Sequence, residues 1–81
     1  INYSEVKIYP NPSKGKTTIQ LEDFSTVEHI QVINTIGVEV AVFSNVNQAS
    51  YELNLSNHSG LYHVLITDKW GLVHTYAIVN Q

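Results

Sequence analysis

The 81-residue chain contains no cysteine, no methionine and no arginine. Without cysteine there is no disulfide, no thiolate zinc site and no thiol nucleophile, so a domain of this size has only its packed core to hold it together. Its cations are the four lysines at positions 7, 14, 16 and 69, against a net charge of −3. The clustered basic footprint that nucleic-acid binding requires is missing. Charged residues make up 14% of the chain, against ~25% in an average domain, which leaves the surface to Ser, Thr, Asn and Gln. No apolar run approaches the ~18 residues of a membrane-spanning helix, and no charged-then-apolar leader opens the chain. It begins at Ile1 rather than at a methionine, and it is expected to be one terminal domain, residues 1–81, of a longer precursor.

Helical periodicity is missing as well; what is present is alternation with period two, the signature of half-buried strands. Val6 and Ile8 share a face, as do Ile19 and Leu21, then Ile30 and Val32. Val38, Val40 and Val42 alternate with Glu39, Ala41 and Phe43, and Tyr51, Leu53 and Leu55 form the next set. Tyr62, Val64 and Ile66 follow, and a last strand is expected from about Leu72 to Val79. Turn formers separate these runs, notably Asn34-Thr35-Ile36-Gly37 and Ser56-Asn57-His58-Ser59-Gly60. About seven short strands with turns between them predict an all-β antiparallel sandwich. Between the first two strands lies Tyr9-Pro10-Asn11-Pro12-Ser13-Lys14-Gly15. Its two prolines fix φ, so it reads as a rigid connector that carries shape and no chemistry.

One hairpin register can be derived. Asp68-Lys69-Trp70-Gly71 has Asp at the first and Gly at the fourth position of a type I turn closed by a left-handed glycine. Asp68 then faces Leu72, Ile66 pairs with His74, Val64 with Tyr76 and Tyr62 with Ile78. Paired residues share a face, so Tyr62, Val64, Ile66, Tyr76 and Ile78 fall on one side. A slip of one residue would scatter them.

Candidate chemistry is thin. That register puts His63 and His74 on opposite faces, so they cannot hold one ion jointly, and His29 and His58 have no ligand-like spacing. Glu22-Asp23 reads as solvated carboxylates at a strand end, with no calcium-loop spacing. Ser56, His58 and Ser59 are explained as turn chemistry, with no nucleophile-elbow pattern. No catalytic residue, cofactor or metal is therefore assigned. Of the aromatics, Tyr62 and Tyr76 are predicted inward, and Trp70 at a hairpin tip is the exposed candidate for ligand contact.

Three stretches nonetheless form an ordered pattern: residues 6–15, Ile33-Asn34-Thr35-Ile36-Gly37-Val38-Glu39-Val40, and Leu53-Asn54-Leu55-Ser56 followed by residues 59–66. Together they resemble the type A C-terminal sorting domain of the type IX secretion system of Bacteroidetes. The resemblance implies a seven-stranded Greek-key sandwich, immunoglobulin-like or jelly-roll-like, at the end of a secreted protease, glycoside hydrolase or adhesin. It implies a non-catalytic export signal, partnered by the secretion machinery at the outer membrane and by an N-terminal passenger. A sortase-like surface protease would remove it, leaving the passenger released or joined to lipopolysaccharide. Pro10, Asn11, Pro12 and Gly15 match the first motif of that family, Gly37 its central turn, Gly60 and Tyr62 its Gly-Leu-Tyr strand, and Gly71 the turn before the last strand. The ending Tyr76-Ala77-Ile78-Val79-Asn80-Gln81 departs from the pattern, because it lacks the lysine that usually precedes an Ile-Val-Val type terminus. Recognition is expected at exposed strand edges and at Ile78, Val79, Asn80 and Gln81, and the same edges make pairing of two copies an expectation. The other reading is an accessory sandwich that binds carbohydrate or a neighbouring domain, with Trp70 as its contact.

Overall fold

The computed structural model describes residues 6–56 and 59–81. Seven strands follow in order: β1 (Val6–Tyr9), β2 (Lys16–Leu21), β3 (Val27–Asn34), β4 (Glu39–Ser44), β5 (Ser50–Asn54), β6 (Gly60–Asp68) and β7 (Val73–Asn80). A single 3₁₀ turn, Phe24–Thr26, leads into β3. Asp23 caps it, its Oδ1 accepting hydrogen bonds from the backbone N–H and the hydroxyl of Ser25. Asp23 thus has a local role as a cap, and an aperiodic stretch of three residues leaves no helical repeat to read.

The strands form two antiparallel sheets, one ordered β1-β2-β5 and the other β4-β3-β6-β7. The first, second and fifth strands thus oppose the third, sixth and seventh, as in an immunoglobulin-like sandwich. The fourth strand lies on the larger sheet rather than on the smaller one. Each sheet turns one face inward. Ile19, Leu21, Tyr51, Leu53 and Leu55 pack from one side against Ile30, Val32, Tyr62, Val64, Ile66 and Ile78 from the other. The inward sets read from β2, β3, β5 and β6 therefore match the structure.

The derived hairpin is present with its register intact: Tyr62 faces Ile78, Val64 faces Tyr76 and Ile66 faces His74. The Asp68 N–H donates to the Leu72 carbonyl at 2.9 Å and the Gly71 N–H to the Asp68 carbonyl at 3.1 Å. The last strand starts and ends one residue later than expected, at Val73 and Asn80. In β4 the alternation admits either face, and the structure turns Ala41 and Phe43 toward the core while Val40 and Val42 stay exposed. A register shift between Val32 and Ile33 accompanies this choice. The Phe43 ring meets Tyr51 of the opposite sheet at 4.9 Å between centroids, closing the sandwich along that flank.

Candidate functional site

Residues 11–15 and 77–81, more than sixty positions apart, are the most densely hydrogen-bonded pair of segments outside the sheet ladders. The cause is local to the Pro-rich run. Neither Pro10 nor Pro12 can donate from its backbone. The side chain of Asn11 supplies what the backbone there does not. Its Nδ2 donates to the Ala77 carbonyl at 2.9 Å and its Oδ1 accepts from the Val79 N–H at 3.1 Å. One side-chain amide therefore imitates a rung of a β-ladder along the outer edge of β7. The next rung is true backbone: the Ser13 N–H donates to the Val79 carbonyl and the Gln81 N–H to the Ser13 carbonyl, each at 2.8 Å. Ser13 and Asn80 make a parallel bridge.

Asn80 is the centre of this seam. It is only 3% exposed, and both the oxygen and the nitrogen of its side-chain amide have partners. Oδ1 accepts from the Ser13 hydroxyl at 2.9 Å and from the Gly15 N–H at 2.8 Å, while Nδ2 donates to the Leu55 carbonyl at 2.7 Å. Gly15 completes the loop by accepting from the Leu55 N–H. Asn80 belongs to the larger sheet, and Leu55 follows the edge strand of the smaller one, so a single amide ties the two layers together at this end. Thr17 holds the other flank, its hydroxyl donating to the Pro10 carbonyl at 3.0 Å. Gly15 is required by two independent facts. Its φ is +103°, and a Cβ there would lie 3.3 Å from the Cα of Ser56.

The sequence-predicted residues divide in three. Asn11, Gly15 and Asn80 converge on the seam, with Pro10 and Pro12 exposed on its loop and Val79 and Gln81 contributing backbone. Tyr62 and Ile78 are core residues. Gly37 and Gly71 sit at positive φ in the two hairpin turns of the larger sheet, and Gly60, also at positive φ, opposes Asn80 across the β6–β7 pair. Two expectations need correction. The Pro-rich run is not only a connector, since Asn11 and Ser13 bind the last strand. The end of the chain is not uniformly a surface either, because Ile78 and Asn80 are buried and only Val79, at 45%, and Gln81 are exposed. The part that Ser13, Thr17 and the Leu55 backbone take in the seam does not follow from the sequence reading. The available signal was alternation itself: counting by two from Tyr76 and Ile78 puts a polar Asn80 on the inward face, where it must find partners.

Elsewhere the chemistry is sparse. His63 faces Ala77 and His74 faces Ile66, on opposite sides of the sheet. His74 Nε2 lies 3.0 Å from Asp68 Oδ2. That contact is the leading reason the Asp68 carboxyl sits below its ordinary value of 3.8; desolvation, the next largest effect, opposes it, and the N–H groups of Leu72 and Trp70 lower it further. Among the described residues no group of three or more His, Cys, Asp or Glu side chains gathers as a metal site. Ser56 donates to Asn54 in a local turn. His58 and Asn57 lie outside the described residues. Trp70 is 73% exposed at its hairpin tip. Among the described residues no helix is long and apolar enough to cross a membrane.

A family model described as a secretion system C-terminal sorting domain matches residues 7–80. No curated protein matches the chain. The matched span begins just before the Pro-rich run and ends on Asn80, so the seam lies inside it except for Gln81.

Proposed function

Because the chain belongs to the C-terminal sorting domains of the type IX secretion system, we propose that it is a non-catalytic signal for export of an attached N-terminal passenger across the outer membrane to the cell surface. The family is not known as catalytic, and membership implies interaction with the secretion machinery. The observation that carries the finer reading is the seam. Motif residues at the two ends of the chain meet in one hydrogen-bonded unit around Asn80. A signal built this way is conformational: the machinery would engage a folded edge formed by Asn11, Pro12, Val79 and Gln81 rather than a linear tail. Removal by a sortase-like surface protease after export, with the passenger then released or anchored, completes the proposal.

The test is a reporter carrying a periplasmic leader and residues 1–81, expressed in a host with the system. Export of the intact fusion is expected. Loss of export is expected after deletion of residues 73–81, and reduced export after Asn80→Ala. Export that survives loss of the whole last strand would contradict the proposal. A second reading has one observation in its favour, the exposure of Trp70 beside exposed Leu72. An accessory carbohydrate- or domain-binding sandwich would show polysaccharide-dependent quenching of Trp70 fluorescence that Trp70→Ala abolishes.

A further inference from the structure

The two sheets present four edge strands, β1 and β5 on one and β4 and β7 on the other. An edge strand offers unpaired backbone groups, and charged side chains are the common means of keeping such an edge from pairing with itself. Three of the four carry such a charge: Lys7 in β1, Glu39 in β4 and Glu52 in β5. A two-fold pairing of any of these would set like charges near one another. The fourth, β7, reads Val-His-Thr-Tyr-Ala-Ile-Val-Asn and contains no Lys, Arg, Asp or Glu. On its inward side His74 is held against Asp68 at 3.0 Å.

The seam shows which β7 groups face outward. Val79 uses both its N–H and its carbonyl toward the first-motif loop, and Ala77 its carbonyl. In an antiparallel strand alternate residues point both backbone groups to the same side. Val73 and Thr75, with the Ala77 N–H, therefore face away from β6, and among the described residues no strand pairs with β7 on that side. Among the described residues, the loop covers the edge from Ala77 onward. What stays open is a five-residue stretch centred on Thr75, with the small side chains of Val73, Thr75 and Ala77 exposed on one face.

We propose that this open stretch pairs with a second copy of the chain, antiparallel about a two-fold axis at Thr75. Each Thr75 N–H donates to the other copy's Thr75 carbonyl, and each Ala77 N–H to the carbonyl of Val73, joining two four-stranded sheets into one of eight. The first-motif loop acts as a register stop, since pairing cannot extend beyond Ala77 where Asn11 and Ser13 already sit. The same arrangement sets the exposed hairpin tip of each copy, with Trp70 and Leu72, next to the exposed prolines of the other. This association is independent of the export reading and can fail without affecting it.

Sedimentation of the 81-residue chain over a concentration series tests the proposal. So short a contact predicts weak association, with a dissociation constant of roughly 0.1–1 mM. Thr75→Pro removes a donor that faces away from β6, with no strand beyond it among the described residues, and proline is tolerated on an edge, so it keeps the wild-type melting temperature while weakening association about tenfold or more. Thr75→Lys acts the same way by charge, and Val42→Lys on β4 leaves association unchanged. Concentration-dependent slowing of hydrogen exchange at the Thr75 and Ala77 amides locates the contact. A chain that stays monomeric throughout the series would overturn the proposal. So would a dimer indifferent to both Thr75 variants, or Thr75 protection that appears only when a foreign extended peptide is added.

Discussion

At the scale of single residues, the seam turns on one buried amide. Removing the Asn80 side chain leaves the Gly15 N–H and the Leu55 carbonyl without their partner, in a place from which water is excluded. Each such group costs about 1–3 kcal/mol when orphaned, so Asn80→Ala is expected to destabilise the fold by about 2–4 kcal/mol, measured as a shift in denaturant midpoint at constant slope. Asn80→Asp is expected to cost more than Asn80→Ala, because it buries a charge and turns a donor toward Leu55 into an acceptor. The neighbouring Val79→Ala, at an exposed side chain whose seam bonds are all backbone, is expected to stay within about 0.5 kcal/mol of wild type. Gly15→Ala tests the other side of the same contact. Its positive φ and the 3.3 Å approach to the Ser56 backbone place the expected loss at about 1–3 kcal/mol.

At the scale of elements, the larger sheet uses one turn twice. Asn34 and Asp68 each open a four-residue turn that ends in a glycine of positive φ, Gly37 and Gly71. In both, the side-chain oxygen accepts two N–H groups, those of Ile36 and Val38 in one turn and of Trp70 and Leu72 in the other. Because Asx chemistry and a left-handed glycine are local, the register of the second of these hairpins was readable from the sequence. The core positions of β2, β5 and β6 were readable for a similar reason, since period two alone decides which side chains share a face. What alternation could not decide was the inward face of β4, where both sets are apolar, or the seam, whose partners are separated by 65 to 68 residues. The second turn also carries a pH dependence. Asp68 is held below 3.8 in the folded chain, chiefly by His74, so its charged form favours folding above that value. The contribution is lost as pH falls through the lowered value, where the proton enters the folded state too. Denaturation of wild type and Asp68→Asn at neutral pH and near pH 3 should therefore show a stability gap that narrows in acid. A gap that widens in acid would mean the His74 contact does not stabilise the carboxylate.

At the scale of the whole molecule, an 81-residue sandwich without disulfides has little stability in reserve, on the order of 4–12 kcal/mol by length alone. Its last two residues contribute out of proportion to their number. Asn80 joins the layers, and the Gln81 N–H closes the final rung onto Ser13. Deleting both would strip the first-motif loop of its deepest anchor and leave Gly15 and Leu55 partly unpaired, yet it would not touch the hydrophobic core. The shortened chain is expected to fold with the same sheets but to melt roughly 10–30 °C lower, since the loss is at least the about 2–4 kcal/mol of Asn80→Ala and translates to that interval in a domain of this size. Hydrogen exchange distinguishes local from general loosening. The amides of Ser13, Gly15 and Val79 should exchange faster together, while those of β3, in the middle of the larger sheet, hold their relative protection. An unchanged melting temperature, with Ser13 and Gly15 still protected, would show that the tail lies on the fold without supporting it, and the machinery would then be reading a free end.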